Sequence, residues 1–164
     1  MAVTATPVFG TATSVTATLA SLASSTADPP VGRESAVIDC ATIDCDDIVI
    51  GGKVTVGTTP TAGKSIFVFF APSYDGTTYA GNAAGAGDAG LTPSNVETMY
   101  LAAQMVTKAT TSNVTFNWAA SVMQVLGFMP SKLVVFITHN TGAALNSTGG
   151  NHELKYRGMN YESA

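Results

Sequence analysis

Ser65-Ile-Phe-Val-Phe-Phe-Ala71 is apolar along nearly its whole length, with five consecutive β-branched or aromatic side chains from Ile66 to Phe70. Seven residues are too few for a typical helix, and these side chains suit a pleated surface. The run therefore predicts a central strand, covered on both faces or with one face at a subunit contact. Lys132 to His139 predicts a second strong strand, with Leu133, Val135 and Ile137 alternating against Val134, Phe136 and Thr138. Between and around these two strands the same period of two recurs. From Asp46 to Val56, Ile48, Ile50, Val54 and Val56 share a face, and Gly51-Gly52 predicts a bulge or a close backbone approach.

Thr11 to Leu22 alternates as a half-buried strand, with Val15, Ala17 and Leu19 on one side. Glu34 to Asp39, Asn113 to Asn117 and His152 to Tyr161 read as further strands. Ser94 to Val106 fits two patterns. Ser94 and Glu97 match a helix capping box, whereas Met99, Leu101, Ala103 and Met105 alternate, and the strand is the reading adopted. Asn117 is placed to cap a brief helix through Leu126, before Pro130. Ala27 to Arg33, Gly57 to Gly63, Pro72 to Pro93 and Asn140 to Asn151 read as turns and loops from their Gly, Pro and Asn content.

Thr, Val, Ala, Ser and Gly dominate, while the Glu, Lys and Gln that a helix needs on its wet face are few. The expected fold is all-β: an antiparallel β-sandwich, jelly-roll-like, with at most one or two short helices. The 164 residues suit one domain over 11–164, preceded by an N-terminal arm over 1–10. Hydrophobic residues at 46% and charged residues at 11% argue against an extended disordered chain. No apolar run approaches the roughly 20 residues of a membrane-spanning helix. Met1 to Leu22 lacks the features of a signal peptide, so synthesis in a cytoplasm is expected. The net charge is −4, and among the cations only Lys155 and Arg157 lie close in sequence. A nucleic-acid partner is therefore not expected.

Several short motifs touch on chemistry. Gly85-Ala-Gly-Asp-Ala-Gly90 matches a dinucleotide pattern but lies deep in a loop, without the strand and helix N-terminus that hold a pyrophosphate. Gly63-Lys64-Ser65 follows a phosphate-loop spacing that is wrong by one residue and leads into a strand. Asp39, Asp44, Asp46 and Asp47 cluster around Cys40 and Cys45; they suit a solvated turn better than a calcium loop. The two cysteines read as ordinary thiols, with a small disulfide loop as the alternative. His139 and His152 offer two metal ligands only if the fold brings them together. No nucleophile–base pair or acid–base couple stands out, so neither catalysis nor a cofactor is expected. Phe67, Phe69, Tyr74 and Tyr79 are the candidates for an oligomer or docking surface, with plain core as the competing reading.

Gly32-Arg-Glu-Ser35, Ile66 to Ala71 followed by Tyr74-Asp-Gly-Thr-Thr-Tyr79, Met129-Pro-Ser-Lys-Leu-Val-Val135 and Asn140-Thr-Gly-Ala-Ala-Leu145 resemble a group of small virion proteins of tailed bacteriophages. The likeness runs from about Ala12 to Tyr161 and is a pattern of strands and turns. It implies a β-sandwich virion component, most similar to capsid decoration (cement) proteins. Those proteins sit on the shell as oligomers, often trimers, and clamp neighbouring major capsid protein subunits. The implied partners are copies of the chain itself and other virion proteins, and the implied location is the virion, after synthesis in a bacterial host. Alternatives are a tail, head–tail junction or fibre-base component, or a carbohydrate-binding sandwich.

Overall fold

A computed structural model describes residues 5–163, so the first four residues of the expected arm lie outside the described residues. The strands are β1 (Ala5–Phe9), β2 (Thr13–Ser14), β3 (Gly32–Glu34), β4 (Ile38–Asp39), β5 (Asp47–Thr55), β6 (Ser65–Ser73), β7 (Ala89–Leu91), β8 (Tyr100–Val106), β9 (Thr115–Ser121), β10 (Lys132–His139) and β11 (Glu153–Ser163). One short α-helix, α1 (Val122–Leu126), lies between β9 and β10. The first sheet runs β1-β11-β5-β9, with β2 also on β11. The second runs β7-β3-β10-β6-β8, with β4 also on β10.

One numerical regularity organises the fold. Ala5 faces Ser163 (total 168), Ser14 faces Lys155 (169), Glu34 faces Phe136 (170), Val49 faces Ser121 (170) and Ser65 faces Val106 (171). The chain is thus one long antiparallel hairpin with its midpoint near Gly85. Its successive strand pairs (β1 and β2 with β11, β3 and β4 with β10, β5 with β9, β6 with β8) fall alternately in the first and second sheets. A second set of ladders, β5 with β11 and β6 with β10, closes the roll. Nested pairs alternating between two packed sheets are the topology of a jelly roll, so the fold is the all-β antiparallel sandwich that the alternation predicts.

Burial explains why the roll holds. Ile48, Ile50 and Val54 of β5, Ile66, Val68 and Phe70 of β6, and Leu133, Val135 and Ile137 of β10 point between the sheets and are almost wholly buried. A smaller cluster lies on the other side of the second sheet. There Ala71, Val134 and Phe136 are covered by Tyr79, Ala83 and Met99 from the long β6–β8 connection. β6 and β10 are therefore apolar on both faces because their own chain folds back over them.

Several local expectations need correction. Thr11–Leu22 is extended, and Val15, Ala17 and Leu19 do turn inward, but only Thr13–Ser14 joins a ladder. Ser21, at φ 58, ends the extended run. Glu34–Asp39 splits into two short strands around Ser35, whose side chain bonds the β10 backbone at Val135. The Pro72–Pro93 loop contains β7, which extends the second sheet along β3. Ser94–Val106 is a strand from Tyr100 onward, preceded by one 3-10 turn. Asn117 lies inside β9, and the helix cap is Ser121, whose Oγ accepts from Gln124 N at 2.9 Å. β5 crosses Gly51-Gly52 without a register shift, so the second alternative, close approach, is the one observed. A Cβ on Gly51 would stand 2.7 Å from the Trp118 carbonyl oxygen, and one on Gly52 would collide with that of Glu153.

Candidate functional site

The outer face of the second sheet is the site that the predicted aromatic residues reach. Phe67 and Phe69 point outward from β6, away from Ile66, Val68 and Phe70. Their rings stack at 6.3 Å between centroids, and Phe69 continues to Phe136 at 6.2 Å. The β6–β8 register puts Leu101 opposite Phe69, Gln104 opposite Phe67 and Val106 opposite Ser65, so all share this face. Leu101 is 50% exposed and Val106 43%. Phe67 and Phe69 are half-buried and floor a recess of about 250 Å³, walled by Pro30, Val96 and Thr138. One half of the face is thus sealed by the β6–β8 connection, and the other half stands open beside the free edge of β8.

The two tyrosines part company. Tyr79 is buried at 8% exposure within the outer cluster, and Gly85 lies so close to its ring that a Cβ there would collide with it. Its hydroxyl pKa is raised, first by burial and then by the charges of Asp39 and Glu34. It serves the covering loop and presents no free surface, which corrects its place among the docking candidates. Tyr74 is 87% exposed, at the tip of a turn set by Asp75. The Asp75 carboxylate accepts from Thr77 N at 2.8 Å and Thr78 N at 2.7 Å, and these bonds hold its pKa well below the usual carboxylate range.

The covering connection is pinned at its tip. Asp88 accepts from Arg33 Nε at 2.5 Å, Thr18 N at 2.9 Å and the Thr18 hydroxyl. Burial alone would raise the Asp88 pKa, but the bonds from Arg33 and Thr18 outweigh it and lower the value to about 2. The Gly85–Gly90 run is therefore the fold's turning point, and Asp88 in it holds an arginine. Beneath it, buried Glu34 accepts from Ala84 N at 2.9 Å through Oε2, while Oε1 has no hydrogen-bond partner among the described residues.

The remaining sequence candidates have separate structural tasks. Asp47 is buried and accepts from Ser121 Oγ at 2.5 Å, Ile48 N and Met123 N, tying the start of α1 to β5. Asp39, Asp44 and Asp46 stay exposed, and no group of metal-holding residues forms among the described residues. His139 is buried between the Leu22 carbonyl at 3.0 Å and the Thr141 hydroxyl at 2.9 Å; burial lowers its pKa against the bond to Leu22. His152 bonds the Asn146 carbonyl at 2.8 Å, in the β10–β11 connection. Cys40 and Cys45 are free thiols. Burial pushes Cys40 up to about 12 and raises Cys45 as well.

Sequence reasoning missed a gathering of charge on the opposite side of the molecule. On the outer face of the first sheet, Lys53 faces Glu153, Gly51 faces Lys155 and Val49 faces Arg157. Gly51 and Ala119 leave the middle of this face without bulk, making a depression of about 440 Å³. Three of the chain's seven Lys and Arg residues rim it. Lys53 is about a hundred residues from the other two, so only the β5–β11 register brings the group together.

No family model matches the chain, and neither a curated protein nor a solved structure matches it.

Proposed function

We propose that the chain is a structural protein of a tailed-bacteriophage virion, a decoration protein that associates with copies of itself and braces neighbouring capsid subunits. The observation that carries this reading is the half-open outer face of the second sheet. Phe67, Phe69, Leu101 and Val106 line it next to a strand edge with unpaired backbone groups. A free edge beside an apolar strip is what a partner uses to add contacts or a strand. Each of these partly exposed side chains contributes on the order of 1 kcal/mol when a partner covers it. A single such contact is weak, but a shell presents the same site many times, and an oligomer engaging several sites gains by avidity. The jelly roll supplies a rigid frame for that strip, and the resemblance to small virion proteins supplies the setting.

The test uses the full chain with purified capsids that lack it. Sedimentation is expected to bring the protein down with the shells, in a copy number that follows the icosahedral lattice. Phe67→Ser with Leu101→Ser is expected to leave the circular dichroism spectrum unchanged and to abolish co-sedimentation. Tail-axis stoichiometry, or wild-type binding by the folded double variant, would overturn the assignment.

A further inference from the structure

The two histidines of the chain meet at one crossing of its backbone. Residues 21–30 form a strap that leaves the core after Leu19 and passes the end of β10 to the outer face of the second sheet. At its start Ser21 N donates to the Asn146 carbonyl at 3.2 Å, and Leu145 N donates to the Leu22 carbonyl at 2.9 Å. Each of these carbonyls also accepts from a histidine ring: Leu22 from His139 Nε2 at 3.0 Å, and Asn146 from His152 Nε2 at 2.8 Å. Farther along, Ser25 N donates to the His139 carbonyl at 2.8 Å, and Gly142 N donates to Ser24 Oγ at 2.9 Å. Ser25, Thr26, Asp28 and Pro30 of the strap then line the recess floored by Phe67 and Phe69.

These bonds constrain the protonation of both rings. A carbonyl only accepts, so Nε2 carries the hydrogen in each ring. On its other side His152 Nδ1 accepts from Thr55 N at 3.4 Å, which makes this ring neutral. His139 Nδ1 faces the Thr141 hydroxyl at 2.9 Å. Burial lowers the His139 pKa against the bond to Leu22, which favours the neutral ring there too. A second ring proton would set N–H against N–H at Thr55. At His139 it would place a cation in a site only 1% exposed and turn the Thr141 hydroxyl toward the Ala143 carbonyl. The titratable groups on the surrounding elements are Asp28 in the strap, Arg33 and Glu34 on β3, Lys53 on β5, Lys64 ahead of β6 and Glu153 on β11. Among the described residues none of them bonds either ring, whose partners are Leu22 and Thr141 for one and Asn146 and Thr55 for the other.

We infer that the two histidines are a proton-sensitive clasp on this strap, and that acid opens the strap to bare the aromatic face. The folded His139 value lies below the ordinary one of about 6.5, so its share of the clasp is complete above that pH and is lost as pH falls below it. Opening lets water reach both rings and withdraws the Pro30 wall from Phe67 and Phe69. The β6–β10 ladder and the core beneath it are untouched, so the change is local. The inference goes beyond the virion reading, because the isolated chain opens or stays shut whatever it binds.

Hydrogen exchange in the full chain tests it. Relative to intrinsic rates, protection of the Ser25 and Leu145 amides is expected to fall at least about tenfold between about pH 7.5 and about pH 5, with Val135 in β10 unchanged. His139→Gln with His152→Gln keeps a neutral N–H donor on each side chain, and protection in this variant is expected not to vary with pH. NMR titration of the wild-type rings supplies a readout that needs no variant: the loss of protection is expected to follow the midpoint of a histidine. Constant wild-type protection, the same loss in the folded double variant, a loss that follows neither ring, or a loss shared by Val135 would overturn the inference. A strap that opens in a chain that binds no shell leaves the clasp standing and removes the proposed function. A strap that stays shut in a chain that decorates shells does the reverse.

Discussion

Replacing Gly52 by alanine tests the closeness of the β5–β11 ladder on which the roll depends. Gly52 faces Leu154 on β11 and Trp118 on β9, and a Cβ there would collide with the Glu153 carbonyl oxygen, which is backbone and cannot rotate away. Relief requires the strands to separate locally by more than about 1 Å, which stretches ladder bonds of about 2.9 Å past the useful limit of about 3.5 Å. Two lost rungs at about 1 kcal/mol each, with strain and loosened packing around Leu154, give a total of about 3 kcal/mol. For a domain of this size that corresponds to a fall in Tm of about 6–12 °C. Gly149→Ala is the control, because nothing lies within 4 Å of a Cβ there; its effect is expected to stay within about 0.5 kcal/mol. Urea and thermal melts of both variants against wild type provide the assay. A Gly52→Ala protein that melts with Gly149→Ala would show that β5 and β11 are not this close, and the reasoning from their register would fail.

Acid unfolding offers a second check through Asp88. Its folded pKa of about 2 lies below the ordinary value, so its stabilisation is complete above about pH 4 and is lost as pH falls toward 2. The contribution is about 2 kcal/mol, and Asp88→Asn is expected to remove it at pH 6 while changing little near pH 2, read from urea midpoints at both values. Thiol labelling provides a third. With the Cys40 thiol buried and its pKa near 12, a thiol reagent is expected to leave Cys40 unmodified in the native protein at pH 8 and to modify both cysteines in denaturant. Rapid native labelling of Cys40 would contradict its burial in the core directly after β4.

The strands most legible in the sequence are those whose burial alternates over many residues. β5, β6 and β10 emerged close to their final limits because one face of each meets the central core. Thr11–Leu22 alternates just as well yet makes few ladder bonds, since side-chain burial sets the period and backbone pairing depends on a neighbour that the sequence does not name. Asn117 and Ser121 are both good cap residues, and their spacing does not separate them; Asp47, on a strand adjacent in space but 74 residues from Ser121 in sequence, favours Ser121 by reaching its hydroxyl and Met123 N. For the candidate site, the alternation separates Phe67 and Phe69 from Ile66, Val68 and Phe70, but leaves docking surface and core both open for them. The burial of Tyr79 was not legible, because it comes from a loop that returns over it, and the cationic depression was not, because it depends on a register between β5 and β11. That register did leave a trace in the sequence: Lys155 and Arg157 alternate on β11, and Lys53 alternates with the core residues of β5.

The constant totals of facing residue numbers bear on how such a chain finds its shape. Partners in a jelly roll are far apart in sequence, and topology of that kind ordinarily makes folding slow. In a single doubled-over ribbon, however, each rung that forms leaves the next pair only a short loop to close, so the entropic cost rises in small steps. Pairing can begin at the innermost rung, Phe70 against Tyr100, and spread outward like a zipper. The ends of the chain, Ala5 against Ser163, are then the last teeth to engage, and trimming them shortens the ribbon without touching the place where it starts to close.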